Sequence, residues 1–182
     1  MASPSPIRIE LWTPDAAGQA ADLEMLGGVL HACVHAGASV GFVLPFPRDE
    51  AKAFWRDVVL PAVQAGSRRV ILARLAGKIV GTVQLDQATP PNQPHRAEVR
   101  KLLVDPAARR RGIARALMLA VEHHARGAGS SLLTLDTVTG STAEGIYRSL
   151  GYVAVGVIPG YAWNFNLSVL EGTTVMYKQL PR

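Results

Sequence analysis

Only one cysteine, Cys33, occurs among the 182 residues, so the chain can form no internal disulfide. A lone thiol suits a reducing compartment, and the expected location is the cytoplasm. No apolar run approaches the roughly 18 residues that span a bilayer, so no membrane partner is expected. Aromatic residues are only 6% of the chain, and no series of them interleaves with basic residues as along a nucleic-acid groove. Gly-Lys-Ser/Thr is missing, which excludes a Walker phosphate loop. The triple-glycine spacing of a dinucleotide turn is missing too. The first six residues are Pro- and Ser-rich and lack the apolar segment of a secretory signal, so they read as a frayed tail.

What the chain does have is apolar material, 48% of its residues, at a length that suits one domain over 1–182. Its net charge is +5, a sign compatible with a polyanionic partner. The densest basic cluster is short, however: Arg109-Arg110-Arg111 with Arg115. That placement fits one phosphorylated ligand better than a nucleic acid.

Alternation over 7–11 predicts a first strand. Thr13-Pro14-Asp15 signals a helix start, and 15–36 reads as helix, weakened at Gly27-Gly28. Residues 37–42 predict a glycine-containing loop. Residues 48–64 predict a second helix that Pro61 kinks or splits. Strands at 69–75 and 79–85 form a hairpin across Ala76-Gly77-Lys78. Residues 88–95, with three prolines, predict a loop. A strand over 97–104 ends at Asp105-Pro106, and 112–126 is an amphipathic helix. A strand at 132–136 precedes a Ser-capped helix at 141–150. Two final strands, 152–157 and 174–178, flank a loop through Pro159-Gly160. A meander followed by βαβ units predicts an α/β (α+β) fold: a mixed sheet with helices on both faces.

The most informative stretch runs from Val104 through Asp105, Pro106, Ala107 and Ala108 to Arg109, Arg110, Arg111, Gly112, Ile113, Ala114 and Arg115. It takes a strand through a turn into a helix. The first N–H groups of a helix lack intrahelical partners and sit at the positive end of its dipole, so they can hold a pyrophosphate. Gly112 allows close approach to the backbone, Ala114 is small enough to keep that approach open, and the arginines add charge. The plain alternative is a solvated basic turn that caps a helix.

Arg109-x-x-Gly112-x-Ala114 resembles the Arg/Gln-x-x-Gly-x-Gly/Ala signature of the GNAT superfamily of N-acetyltransferases. Leu103-Val104-Asp105-Pro106 resembles the strand end before it. Ala143-Glu144-Gly145-Ile146-Tyr147-Arg148-Ser149-Leu150-Gly151-Tyr152 is similar to the family's second signature, in the family's order and separation. His35 to Phe42, Arg96-Ala97-Glu98-Val99, Lys101-Leu102, Leu135-Asp136-Thr137, Gly140-Ser141 and Pro159-Gly160-Tyr161 also resemble the tabtoxin-resistance acetyltransferases. The resemblance implies a mostly antiparallel sheet of about seven strands flanked by helices. A splayed parallel pair, 97–104 with 132–136, would receive the pantetheine arm of acetyl-CoA. It implies cofactor contacts at Leu102, Leu103, Val104, Arg109, Arg110, Arg111, Gly112, Ile113, Ala114, Arg115, Ser141 and Tyr147. Backbone groups of Leu103 and Val104 would pair with the arm like an added strand. Many members carry Asn where Gly140 falls, and Ser141 is the candidate replacement.

The reaction so implied moves acetyl from acetyl-CoA to a primary amine of a small molecule, such as an amino-acid-like toxin or antibiotic. The amine arrives as an ammonium, so a base must take a proton; the oxyanion needs a donor, and the departing thiolate benefits from an acid. Glu98 lies on the strand before the turn, at an even offset from Val104 that places both on one face. It is the first candidate for the base; its alternative role is a pairing with Arg96 or Arg100. Asp136 is the second candidate, with capping of the turn at Thr137 as its alternative. Tyr147 matches a family tyrosine proposed as the acid, its alternative being a core aromatic with a satisfied hydroxyl. Loops at 37–46, 88–96 and 158–171, with Tyr161 and Trp163, are expected to shape the acceptor site.

His31 and His35, four apart around Cys33, have metal-like spacing but no third ligand, so no metal is expected. Cys33 has no support as a nucleophile. Two other functions remain compatible with the sequence. One is a non-catalytic CoA- or nucleic-acid-binding module on this fold; the other is an acetyltransferase for protein N-termini. Monomer and homodimer are both compatible as well.

Overall fold

The computed structural model describes residues 6–15 and 17–181. Residues 1–5 of the expected frayed tail lie outside them. Seven strands form one sheet in the order β1-β2-β3-β4-β5-β7-β6. They are β1 (Arg8–Leu11), β2 (Arg68–Leu75), β3 (Lys78–Asp86), β4 (Arg96–Val104), β5 (Leu132–Val138), β6 (Val153–Trp163) and β7 (Leu170–Gln179). The helices are α1 (Gln19–His35), α2 (Arg48–Phe54), α3 (Leu60–Gln64), α4 (Ile113–Gly127) and α5 (Thr142–Ser149). Every strand pair is antiparallel except β4 with β5. That parallel pair requires a crossover, which α4 supplies.

The sheet separates two cores. Trp12, Leu26, Leu30 and Trp55 pack with Val70, Leu72 and Leu103 on the α1–α2 side. Ile71, Val83, Leu85 and Val99 pack with Leu117, Met118 and Val121 on the α4 side. Val70-Ile71-Leu72-Ala73 of β2 alternates between the two, which is why it reads as one unbroken apolar run. Pro61 does not split its helix. A π-helical turn at Trp55–Val59 joins α2 to α3, and the Leu60 N–H reaches back to the Trp55 carbonyl. The wider turn carries the chain past a residue that has no N–H to give.

An irregularity in β4 decides which face its side chains take. Leu103 pairs with Thr82 and Arg100 with Gln84, so Lys101 and Leu102 oppose the single residue Val83. Lys101 adopts φ +50°, in the left-handed region. This β-bulge inverts the alternation. Ala97 and Val99 lie in the α4-side core, Leu103 lies in the α1-side core, and Leu102 and Val104 return to the α4 side. Glu98 and Val104 therefore lie on opposite faces, contrary to the even-offset expectation, because the count holds only in an unbroken ladder.

The last strands are also longer than the sequence suggests. β5 continues to Val138, and the expected loop at 158–171 is mostly a hairpin, with β6 reaching Trp163 and β7 beginning at Leu170. A register shift between Ile158 and Ala162 absorbs Pro159-Gly160. Among the described residues no helix is long and apolar enough to cross a membrane.

Candidate active site

β4 and β5 pair at Arg96 with Leu132, Ala97 with Leu133 and Glu98 with Thr134, and no further. Beyond that rung the strands part. A cavity of about 690 Å³ opens along the gap. Its walls come from Glu98 to Leu102 on β4, Asp136 on β5, the loop at 37–41, Tyr147 on α5 and the β6–β7 hairpin.

The turn after β4 begins with a short 3-10 segment, Pro106–Ala108, in which Asp105 Oδ1 accepts the Ala107 N–H at 2.9 Å. Gly112 follows at φ +75°, and α4 starts behind it with no side-chain cap. The Ala116 N–H bonds to the Gly112 carbonyl at 3.0 Å. Among the described residues the backbone N–H groups of 110–115 meet no backbone acceptor. Such a bundle of donors at a helix start fits a diphosphate. Apart from Gly112 and its two chain neighbours, no described residue lies within 4 Å of where a Cβ on Gly112 would stand, so the backbone is open to a ligand there.

The expected contact residues divide by role. Arg109, Arg110, Arg111 and Arg115 are exposed at this turn. Arg109 Nε donates to the Val104 carbonyl at 3.3 Å, and Arg115 Nη1 to Ser149 Oγ at 3.3 Å, which ties α4 to α5. Ile113 is buried in the core, so it can offer only its N–H. Leu102 lines the cavity, whereas the Leu103 side chain points into the opposite core. The Val104 carbonyl also accepts from Cys33 Sγ at 3.4 Å. Burial pushes that thiol up to about 11, so it stays protonated and is a poor nucleophile.

Glu98, Asp136, Tyr147 and Ser141 line the one cavity. The Glu98 side chain is 37% exposed, with Arg100 Nε 3.6 Å from Oε1, longer than a hydrogen bond. Arg100 Nη1 instead reaches Asp86 at 3.2 Å, and Arg96 bonds Gln93 and Thr134. Asp136 stands two residues inside the end of β5; Thr173 Oγ1 donates to its Oδ2 at 2.9 Å, so it does not cap a turn. Tyr147 is 6% exposed. Burial, and the Asp136 charge beside it, hold its phenol above the usual range, so it remains a proton donor. Ser141 caps α5, its Oγ accepting the Glu144 N–H at 3.2 Å, while Gly140 donates to Glu144 Oε2 at 2.7 Å.

Tyr161 lines the cavity from β6, and Trp163, 51% exposed, does not. The loop at 88–95 contributes none of the lining residues. Three ionisable groups that sequence reasoning did not place in the site do: Arg100, Lys101 and Glu171. Lys101 enters only through the bulge, which no sequence periodicity signals. His31 and His35 stack their rings at 4.0 Å, and His35 Nδ1 lies 3.0 Å from the His31 carbonyl. Among the described residues no group of three His, Cys, Asp or Glu side chains is placed to hold a metal ion. A second hollow of about 580 Å³, lined by Trp12, Arg68 and Arg69 among others, lies toward the β1 edge, away from the signature residues.

Comparison with known proteins agrees with this geometry. The model of the Acetyltransferase (GNAT) family matches residues 33–152, which include both signature segments. An uncharacterized N-acetyltransferase of Azospirillum brasilense is 35% identical over 117 residues, 63% of this chain and 67% of that protein. An N-acetyltransferase structure from Staphylococcus aureus superposes with TM-score 0.79 at 17% identity, covering 97% of this chain and 100% of that one. A Salmonella typhimurium structure solved with acetyl-CoA as its cofactor gives TM-score 0.75 at 18% identity, covering 95% and 94%. The chain belongs to the GNAT family of acetyltransferases and is an N-acetyltransferase whose acetyl donor is acetyl-CoA.

Proposed function

We propose that the acceptor is a primary amine on a small, amino-acid-like molecule, and that Glu98 takes its proton. The observation that carries this reading is the position of Glu98. It stands at the last rung before β4 and β5 part, loosely held, facing the same cavity as Asp136 and Tyr147. Acetyl-CoA supplies the activated acyl group and a thiol that departs. The N–H groups of 110–115 hold its diphosphate, and the gap beyond Glu98 receives its arm. Glu98 deprotonates the ammonium directly or through one water. Asp136, fixed by Thr173, adds negative charge that draws the ammonium in. Tyr147 donates to the departing thiolate.

A link between two segments that flank the cavity favours a short acceptor over a peptide. The Leu44 N–H bonds the Phe165 carbonyl at 2.7 Å, which ties the loop after α1 to the β6–β7 hairpin. The Phe165 ring stands 3.4 Å from where a Gly37 Cβ would be. The stretch His35 to Phe42 in this loop resembles tabtoxin-resistance acetyltransferases, so an amino-acid-like toxin or antibiotic is the proposed target, detoxified by a single-domain enzyme in the cytoplasm. The test is thiol release from acetyl-CoA across small amines, amino-acid-like antibiotics and a peptide with a free N-terminus. Release with small amines that Glu98→Gln suppresses is the expected result. Release with the peptide alone would sink the reading.

A further inference from the structure

The bulge in β4 has a chemical consequence at its first residue. Lys101 adopts φ +50°, a conformation that disfavours any residue with a Cβ and persists where the surroundings demand it. Lys101 lines the cavity on β4, beside Gly41 of the loop after α1. There Nζ lies 5.7 Å from the Phe42 ring centroid and 5.9 Å from that of Phe54. It stands 3.7 Å from where a Gly41 Cβ would be. Among the described residues no carboxylate comes within salt-bridge distance of Nζ and no oxygen accepts a hydrogen bond from it. Two aromatic faces give it some compensation, but three N–H donors remain unused. Burial, with Arg100 and Arg68 nearby, lowers its pKa to about 8. A cation in that state is free to take up an anion.

Carboxylates outnumber cations along the rest of the cavity. Glu98, Asp136 and Glu171 line it beside one arginine, Arg100, whose Nη1 is engaged by Asp86 at 3.2 Å, and Glu171 Oε2 is buried with no hydrogen-bond partner. A dianion such as a phosphate ester would meet repulsion from these acids. A molecule carrying one ammonium and one carboxylate meets complementary charge at both ends.

We propose that Lys101 is the anchor for a carboxylate on the acceptor, so that the enzyme selects zwitterionic, amino-acid-type amines and holds their amino group toward Glu98 and Asp136. This rests on the amine-acetylation reading and adds to it a subsite and a selectivity. A carboxylate on Nζ makes a charge-assisted hydrogen bond in a partly desolvated place, where such contacts are strong. Losing it costs about 10- to 100-fold in affinity. A proton-accepting role for Lys101 makes a different forecast, since it slows turnover of every amine alike.

The probes are matched pairs: lysine with cadaverine, ornithine with putrescine and tyrosine with tyramine. For the parent, Lys101→Met and Lys101→Arg, two quantities are read. One is kcat/KM for acetylation; the other is calorimetric binding of each probe to the CoA-bound protein. The parent should prefer at least one acid over its decarboxylated partner, mainly through KM. Lys101→Met should bring that ratio down by about 10-fold or more, and Lys101→Arg should keep part of it. An acid-to-amine ratio near one in the parent, or one that survives in Lys101→Met, overturns the proposal; so does failure of every acid to bind. If acids bind in a Lys101-dependent way but no thiol is released with any amine, the carboxylate subsite stands and the amine-acetylation reading falls.

Discussion

Ile113, the first residue of α4, rests on Gly81 of β3: a Cβ on Gly81 would stand 3.1 Å from Ile113 Cγ2. It would also meet the Leu103 carbonyl oxygen at 3.0 Å and Leu117 Cδ1 at 3.2 Å. A missing side chain on β3 thus sets how closely the start of α4, and the N–H groups in front of it, approach the sheet. Gly81→Ala should cost about 1–3 kcal/mol by overpacking. It should also weaken acetyl-CoA binding by moving the turn. Thermal melting and a titration check both; an unchanged melting temperature would show that the contact yields freely.

Gly112 makes a sharper prediction at the same corner. Its φ of +75° disfavours any side chain by roughly 1–2 kcal/mol. In Gly112→Glu a carboxylate would also project among the free N–H groups. Acetyl-CoA affinity should fall by at least about 100-fold, a loss on the scale of charge-assisted bonds. Circular dichroism should show the fold retained. Tight binding by a folded Gly112→Glu protein would move the diphosphate elsewhere.

Lys101 should cost stability in exchange for its function. Its folded-state pKa of about 8 lies below the ordinary 10.5 because burial penalises the charged form. Between those values the unfolded chain binds more protons, so the stability associated with this group rises with pH. It is fully present above 10.5 and lost as pH falls through 8. Lys101→Met removes the penalty. At pH 7 it should be more stable than the parent by on the order of 1 kcal/mol, net of the lost contacts with Phe42 and Phe54. The gain should shrink from pH 8 upward and vanish above 10.5. Denaturant melts at several pH values measure it, and a variant less stable than the parent at pH 7 contradicts the account.

Much of this was readable in the residues. The apolar alternation placed all seven strands, and the two signatures fixed the turn at 109–115 and the helix that carries Tyr147. What stayed hidden follows from long-range register. The bulge at Lys101 is set by the pairing of Leu103 with Thr82 and Arg100 with Gln84 on β3, not by local sequence, so neither the face of Val104 nor the place of Lys101 in the cavity can be read from the residues alone. Pro159-Gly160 reads locally as a loop, yet the β6–β7 pairing absorbs it in a register shift and continues to Trp163. At Pro61, where a kink or a split was expected, a π-helical turn keeps the helix continuous.

Glu98→Gln keeps the size of the side chain and removes the base. Turnover at neutral pH should fall by about 100-fold or more, the usual share of a general base. Acetyl-CoA affinity should hardly change, because the N–H groups of 110–115 lie beyond the end of β4. Steady-state kinetics beside a binding titration separate the two effects. Unchanged turnover would remove Glu98 from the mechanism and leave Asp136 as the carboxylate to examine.

The most direct test is an amide-resolved NMR titration of the protein with CoA. The account predicts the largest shifts at the backbone N–H groups of residues 110–115, with further shifts at 102–104 on β4 and around Tyr147. Shifts concentrated instead around the hollow near Trp12 and Arg69, with the turn after Pro106 unmoved, would contradict it.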